Sequence, residues 1–396
     1  MRILYIHSTQ VPPPLDTRAD RFFLLSETLE GDVLHPVWFK SKEEVEAEFG
    51  PGSYPVYTSG RFRYHWFLAW KAHGQSRSRL AQFWFYVHRG VQLHRQQAFD
   101  CVVAYSHMGT GVMAALVKLF TRGKLILEEA TTPRLLALTD RPRPTLRDHL
   151  KKLYSDVCLH LSAALADRFH LLYPTQLAGY PLLKNVKSSV FHEFVPVSTI
   201  CSHDSVASQS GNQDEQYVLL VGSPWYLKGV DRLVGAFKRL APDFPGVKLK
   251  LVGWYQEQEY KDLEALRGGV GQIELVKATP NPITLQTISR CLVLVHPSRC
   301  EGLPRAVIEG LAAGVPVIGS DVAGIPYLIR QGENGFVVPG DDVAELEKRL
   351  RQLLGDPELR RRLGANGYEF AHTQLSEQVY VERFTEMIRA TVRGHQ

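Results

Sequence analysis

Short apolar runs alternate with amphipathic stretches along this chain, and that pattern predicts a parallel α/β fold. The runs are four to seven residues long and end in polar, Gly or Pro residues; they are Arg2–His7, Phe99–Tyr105, Lys124–Leu127, Tyr217–Val221 and Cys291–His296. Continuous apolar runs of this length are typical of strands buried on both faces of a parallel sheet. The polar stretch Ser202–Gln216 separates two such series. We therefore predict two doubly wound, Rossmann-like domains, residues 1–200 and 201–374.

The segment 289–338 carries the clearest chemical signal. Its buried strand Cys291–His296 is followed by a polar loop, a helix that starts near Pro304, and a second strand, Val315–Ile318. This arrangement places a helix N-terminus at the carboxyl edge of the sheet, where free N–H groups favour a phosphate-bearing ligand. Glu301 in the loop and Glu309 in the helix could accept hydrogen bonds from paired sugar hydroxyls. The alternative is that Glu301 only complements the helix dipole and Glu309 faces solvent.

The motifs of this segment also resemble a known family. Glu301-Gly302-Leu303-Pro304, Ile308-Glu309-Gly310, the run 312–318 and Gly324-Ile325-Pro326 are similar to the donor-binding half of retaining glycosyltransferases of family 4. The resemblance implies the GT-B fold, in which two α/β domains face each other across a cleft. A nucleotide sugar then binds the second domain and an acceptor binds the first. It also implies that the C-terminal helical segment, 375–396, packs back on the first domain.

The resemblance assigns roles to the donor-side residues. Glu309 would hold the ribose hydroxyls, and Glu301 would hold the donor hexose with the backbone N–H groups of Gly302 and Leu303. Lys228 and Gly229 match the first donor motif of the family, although Ser223 occupies the position of its arginine. Lys228, helped by Arg305 and the helix N-termini, would then stabilise the departing diphosphate. Without this context, Lys228 reads as an exposed loop lysine.

Candidates for acceptor chemistry lie at strand ends of the first half. The family commonly has a histidine at the end of the strand that here runs into Glu128 and Glu129, so a carboxylate is the candidate for orienting an acceptor hydroxyl. His107, after the preceding strand, is the rival candidate. Each of these residues could instead be a satisfied polar group at a strand end. The loop at 11–15 is rich in proline where the family has glycine, and Arg18 or Arg21 could supply charge there.

Residues 61–99 combine basic and aromatic side chains. They contain seven Lys or Arg, four His and no acid, and nine aromatic residues interleave with them: Phe62, Tyr64, Trp66, Phe67, Trp70, Phe83, Trp84, Phe85 and Tyr86. A basic helical surface with such residues is typical of contact with an anionic membrane face. The alternative is a pair of core helices with the aromatics inward. No nucleic-acid motif accompanies the patch, so nucleic acid is not an expected partner.

Composition limits the remaining choices. Five cysteines, odd in number and without metal-ligand spacing, predict a reducing cytosol, and no apolar run approaches the length of a membrane span. No Asp-x-Asp signature is present, so we expect a metal-independent reaction without a cofactor. The predicted function is transfer of a hexose from a UDP- or GDP-sugar to a glycan or lipid-linked acceptor, in polysaccharide or lipopolysaccharide synthesis. The alternative is a degenerate, non-catalytic sugar-nucleotide-binding protein of the same fold.

Overall fold

The structure is a computed structural model that describes residues 1–7, 19–39, 43, 46–47, 56–72, 75–76, 79–130, 143–203, 215–279 and 281–394. The chain divides into two compact units. Unit 1 comprises Met1–Ala130, Leu153–Phe194 and Tyr380–Gln396, and unit 2 comprises Thr131–Lys152 and Val195–Val379. Each unit has its own predominantly parallel sheet and its own core, so the predicted class of two Rossmann-like α/β domains is confirmed.

The sheet of unit 1 is built from nine strands within the described ranges. They are β1 (Arg2–Ile6), β2 (Glu30–Phe39), β3 (Val56–Ser59), β4 (Phe62–Ala72), β5 (Gln75–Ser76), β6 (Cys101–Tyr105), β7 (Lys124–Glu129), β8 (Arg168–Leu171) and β9 (Ser188–Val190). Their order is β3-β4-β2-β1-β6-β7-β8-β9, and β5 pairs with β4. Only β3 and β5 run antiparallel to their partner. The order reverses between β1 and β6, and ligands of doubly wound folds bind at such a switch point.

Helices cover both faces of this sheet. They are α1 (Arg21–Leu25), α2 (Arg79–Gln96), α3 (Gly109–Thr121) and α4 (Leu146–Ala163), which belongs to unit 1 from Leu153 onward, together with the last helix, described below. One apolar core contains Tyr86 and Val87 of α2, Val117 of α3 and Leu159 of α4. The core on the other face contains residues of β1, β4 and the last helix. The helices therefore fix the strand ends from which the first-half candidates project.

Unit 2 contains a six-stranded sheet in which every described pair is parallel. Its strands are β10 (Gln216–Val221), β11 (Val247–Gly253), β12 (Ile273–Lys277), β13 (Val293–His296), β14 (Val317–Ser320) and β15 (Gly335–Val338), in the order β12-β11-β10-β13-β14-β15. Its helices are α5 (Val230–Leu240), α6 (Glu257–Arg267), α7 (Asn281–Arg290), α8 (Arg305–Ala312), α9 (Ile325–Leu328), α10 (Val343–Gly355) and α11 (Pro357–Gln374). The strand order reverses between β10 and β13. This is the place where a dinucleotide or nucleotide binds in related folds.

The last helix, α12 (Glu377–Val392), belongs to unit 1 from Tyr380 onward. Its apolar face, with Tyr380, Phe384, Met387 and Ile388, is buried in the core that also holds Tyr5 of β1. Polar contacts reinforce this packing, since Arg168 Nε donates to Thr391 Oγ1 at 3.0 Å. The amphipathic pattern predicted for the end of the chain therefore serves to close one face of the first sheet.

Several predicted elements differ from those observed. Residues 62–72 of the basic aromatic stretch form strand β4 and not a helical surface, because alternate side chains, Phe62, Tyr64, Trp66 and Leu68, are buried in one core. The predicted strand Ser188–Val197 ends at Val190. The predicted strand Val315–Ile318 is shifted to Val317–Ser320, and the loop predicted at 322–325 runs into α9. The proline-rich loop, Arg18 and most of the polar stretch 202–216 lie outside the described residues.

Candidate functional site

Two loops meet at the switch point of unit 2, at the carboxyl ends of β10 and β13. The first loop runs from Gly222 to Gly229 and the second from Pro297 to Pro304. Gly229 has a φ of +68°, and a β-carbon there would lie 2.0 Å from the carbonyl oxygen of Pro297. Only glycine combines this left-handed backbone with such a close approach. Gly229, which the sequence assigned to donor binding, thus joins the two loops and fixes the position of Lys228 beside it.

Salt bridges and stacking hold the same loops together. The guanidinium of Arg299 donates to both carboxylate oxygens of Asp231 in α5, at 2.7 and 2.6 Å. It also lies 3.8 Å from the ring centroid of Tyr226 and donates to that residue's carbonyl oxygen at 2.5 Å. A bidentate arginine pair with a stacked ring is a rigid arrangement. The two loops are therefore pre-organised around Lys228 and Glu301.

Glu301 is the centre of a buried polar cluster. Its Oε1 accepts hydrogen bonds from Lys228 Nζ at 2.6 Å, His296 Nε2 at 2.7 Å and Ser298 Oγ at 2.7 Å. Burial alone would raise the pKa of this carboxyl, but the charges and hydrogen bonds of His296 and Lys228 lower it to about 2. The structure thus brings together Lys228 and Glu301, two residues that the sequence placed in one donor site. It adds His296 and Ser298, which the sequence reasoning did not select.

Glu309 has a different environment although it lies on the same segment. It is 7% exposed within α8, and burial raises its pKa. Arg305 Nε is 3.9 Å from its Oε1, which is beyond hydrogen-bonding distance. A buried carboxylate in this state favours ligands that bring hydroxyl donors to it. The alternative of a solvated helix face is therefore wrong for Glu309, while its role toward ribose remains a prediction.

The backbone preceding α8 supplies the other predicted donor contacts. Pro304 occupies the N-cap position of α8, directly after Gly302 and Leu303. Gly324 N donates to the carbonyl oxygen of Gly302 at 3.0 Å and holds this loop against the segment that leads into α9. The first N–H groups of a helix have no intrahelical acceptor and can bind an anion. The side chain of Arg305 at the helix start is 46% exposed, so it is accessible to a ligand.

In unit 1, the structure places His107 and Glu129 in direct contact. His107 Nδ1 donates to Glu129 Oε2, and His107 Nε2 is hydrogen-bonded to Ser155 Oγ at 2.7 Å. Both candidate residues are 1% exposed. They are therefore members of one buried cluster at the carboxyl ends of β6 and β7, and their catalytic roles remain predictions.

Glu128 belongs to a second buried cluster. Its carboxylate accepts hydrogen bonds from Tyr5 and from His170 Nδ1, the latter at 2.9 Å, and Arg21 Nη1 lies 3.5 Å away. Burial would raise the pKa of Glu128, but Arg21 and His170 lower it. The sequence suggested Arg21 as a positive charge for phosphate. In the structure, Arg21 Nη1 donates a hydrogen bond to the hydroxyl of Tyr380 at 3.1 Å, and its guanidinium lies 4.3 Å from the centroid of the Tyr5 ring. We conclude that Arg21 is part of the core of unit 1.

Two features are absent from the described residues. No group of three or more His, Cys, Asp or Glu side chains is arranged there to hold a metal ion. No helix in the described ranges combines the length and apolar character that crossing a bilayer requires. Metal independence therefore remains a prediction.

Comparison with known proteins agrees with the resemblance of the donor half. Residues 204–370 match the family model "Glycosyl transferases group 1". An uncharacterised glycosyltransferase of Methanocaldococcus jannaschii is 32% identical over 160 residues, which is 40% of this chain and 44% of that protein. The capsular polysaccharide biosynthesis glycosyltransferase CapM of Staphylococcus aureus is 28% identical over 163 residues, 40% of this chain and 42% of CapM. The matches to these relatives thus span less than half of their length.

Solved structures extend the likeness to the whole chain. Sucrose-phosphate synthase from Thermosynechococcus elongatus superposes with a TM-score of 0.75 at 19% identity and covers 100% of both chains. Anabaena HepE in complex with UDP-glucose gives a TM-score of 0.69 at 16% identity, again with 100% of both chains covered. These similarities establish the GT-B fold class predicted from the sequence. The residues that match the group 1 family model, 204–370, all lie in unit 2.

Proposed function

We propose that the protein is a retaining glycosyltransferase that moves a hexose from a nucleotide sugar to a glycan or lipid-linked acceptor in polysaccharide synthesis. The observation that carries this proposal is the Lys228–Glu301 pair at the switch point of unit 2, beside the N-terminus of α8 and the buried Glu309. A cation, free N–H groups and two carboxylates match a diphosphate flanked by two hydroxylated sugars. The matches to the group 1 family model and to CapM support the same reading.

The proposed chemistry uses these groups in a defined way. The bond between the anomeric carbon and the diphosphate oxygen breaks, and the diphosphate leaves with the electron pair. Lys228 and the N-terminus of α8 stabilise the charge that develops on the leaving group. The acceptor oxygen bonds to the anomeric carbon on the face that the diphosphate leaves, and its proton passes to a phosphate oxygen. Glu301 and Glu309 hold hydroxyls of the hexose and the ribose.

The contact between Lys228 and Glu301 has a consequence for binding. In the structure, Lys228 Nζ donates a hydrogen bond to Glu301 Oε1 at 2.6 Å. A bound diphosphate would attract this ammonium group and relieve one of the three hydrogen bonds on Glu301 Oε1. The freed lone pair could then accept a hydroxyl of the hexose, while His296 and Ser298 keep the carboxylate in place. Donor binding and positioning of Glu301 are thereby coupled.

Uridine nucleotides are the first donors to test. HepE was solved with UDP-glucose, and an Escherichia coli protein of the same fold was solved with UDP-2-fluoro glucose. We would measure thermal shifts with UDP, GDP, ADP and their hexose conjugates, with magnesium and with EDTA, since a ligand that binds the folded state raises its apparent stability. The expected result is a shift for one base that persists in EDTA. A shift that requires magnesium would contradict metal independence.

Nucleotide release separates transfer from the non-catalytic alternative. The best-binding nucleotide sugar is incubated with the protein, with and without glycan or lipid-linked acceptors, and free nucleotide is quantified. Acceptor-dependent release, with an anomeric configuration by NMR equal to that of the donor, is the expected result. Lys228→Ala should reduce the release, whereas Lys261→Ala, at an exposed lysine of α6, should not. Nucleotide binding without any release would favour the degenerate binding protein.

A further inference from the structure

Helix α4 presents an apolar face to solvent. Six large side chains along it are each 48–77% exposed: Leu146, Leu150, Leu153, Tyr154, Val157 and Leu161. At 3.6 residues per turn these positions fall within an arc of roughly 100°. They therefore form one continuous stripe, hereafter the α4 stripe, along four turns of the helix.

The opposite side of α4 carries the contacts with the protein. Leu159 and Ala163 are buried in the core of unit 1, and Ser155 and Ser162 are also buried. The inward side thus combines small and polar residues with a single leucine, while four leucines face outward. A surface helix normally shows the reverse distribution. Contiguous exposed apolar surface of this kind marks an interaction site.

Charge around the α4 stripe indicates the kind of partner. Arg143, Arg147, His149 and Lys151 are exposed beside it. The two acids of the helix are withdrawn from this face, since Asp148 is 1% exposed and Asp156 is half-buried and accepts a hydrogen bond from Tyr180. Lys151 Nζ lies 3.2 Å from Asp148, and the two arginines have no such carboxylate among their described contacts. The solvent-exposed face of α4 therefore consists of an apolar stripe, mostly leucine, flanked by basic side chains.

We infer that α4 docks on an anionic lipid surface and lies in its plane, with the α4 stripe inserted between headgroups. An apolar stripe with basic borders is the pattern that binds such surfaces. A second copy of the chain fits less well, because both copies would bring the same positive border to the contact, whereas an anionic surface complements it. This inference does not depend on the proposed transfer reaction.

The surface differs from the one predicted at residues 61–99. In that stretch Phe62, Tyr64, Trp66 and Phe67 are buried in the sheet. Among the side chains described there, two large apolar ones are well exposed, Leu80 at 66% and Trp84 at 62%, one turn apart on α2. An isolated pair offers much less apolar area than the six residues of α4. The membrane-facing surface is therefore assigned to α4 rather than to residues 61–99.

Vesicle flotation with the full chain tests this assignment. The vesicles contain phosphatidylcholine alone or with phosphatidylglycerol. Wild-type protein should float with the anionic vesicles, and the combined variant L146S/L150S/L153S/V157S should lose at least about tenfold in partitioning. The variants L182S/I283S, at exposed apolar residues outside α4, and L80S/W84S should float like the wild type. Far-ultraviolet circular dichroism and the melting temperature verify that each variant is folded.

A second variant tests the role of charge without touching the α4 stripe. R143Q/R147Q should reduce flotation with anionic vesicles and make the remainder less sensitive to salt. The exposed pair K261Q/K348Q serves as its control. The inference is overturned if wild-type protein ignores anionic vesicles, if the four-residue α4 variant floats normally, or if sedimentation shows a dimer that this variant dissociates while neither protein binds lipid. Normal nucleotide binding alongside any of these results would leave the proposed function intact.

Discussion

Glu301 allows a quantitative test of the candidate site through stability alone. Its carboxylate is 9% exposed and accepts three hydrogen bonds, which lower its pKa from 4.5 to about 2. A pKa difference of about 2.5 units at about 1.4 kcal/mol per unit corresponds to about 3.5 kcal/mol of unfolding free energy at neutral pH. Because the folded pKa lies below the unfolded value, this contribution is complete above pH 4.5 and is lost as the pH falls toward about 2.

The variant Glu301→Gln removes this titration while keeping the shape of the side chain. Urea unfolding of both proteins, followed from about pH 6 to about pH 3, should show the advantage of the wild type shrinking by about 2 kcal/mol. This figure is the part of the titration that lies between the unfolded pKa and about pH 3. Parallel stability curves for the two proteins over this interval would refute the assignment of Glu301 as a charged, hydrogen-bonded centre.

Glu309→Gln is the matched control, since Glu309 is equally buried and its pKa is shifted in the opposite direction. Burial raises the pKa of Glu309, so ionisation is more costly in the folded state than in the unfolded one. The wild type should therefore lose stability relative to Glu309→Gln as the pH rises above 4.5, until the folded pKa is passed. Equal pH dependence for the two variants would show that a general effect of the segment, and not each carboxyl's environment, controls the result.

Three further predictions concern the loops and the unit 1 cluster. Lys228→Ala should weaken binding of a nucleoside diphosphate by about 1.5–3 kcal/mol in calorimetry and leave the free nucleoside unaffected, because the lost partner is the diphosphate; equal losses for both ligands would contradict this. Gly229→Ala should lower the unfolding free energy by about 1–3 kcal/mol or more, since its β-carbon meets the Pro297 carbonyl oxygen, whereas Gly355→Ala has open space and should be neutral. Glu129→Gln should lower the transfer rate without changing nucleotide affinity, because Glu129 belongs to unit 1; a changed nucleotide affinity would argue against that division.

Prediction from the sequence succeeded where the hydrophobic pattern of a segment matches its burial in the folded protein. Strand β10 was predicted at Tyr217–Val221 and is observed at Gln216–Val221, because its continuous apolar run corresponds to a strand whose residues 217–220 are all buried. Strand β4 was missed although Phe62, Tyr64, Trp66 and Leu68 repeat with a period of two. Arg63 and His65, which bind Asp32 on the other face, gave the segment a basic appearance that suggested a surface.

The residues of the candidate site were predicted only in part, because only some of them belong to recognisable sequence motifs. Lys228, Glu301 and Glu309 carry motif spacing, so the sequence could select them. His296 and Ser298 sit within an apolar run and a polar loop, and their function depends on proximity to Glu301; the available signal was a histidine that ends a buried strand just before the motif. The Arg299–Asp231 pair spans 68 positions, and no local pattern in a single sequence reports such a contact.

The packing of α12 sets an order of events during synthesis. Tyr380, Phe384, Met387 and Ile388 complete a core whose other members come from the first two hundred residues of the chain. All of unit 2 between Val195 and Val379 is made before these side chains appear. At ribosomal speeds of about 5–20 residues per second, one face of the first sheet stays uncovered for on the order of ten seconds or more. We therefore expect chaperones to bind the nascent first unit, and we expect it to reach its final stability only after the last helix has left the ribosome.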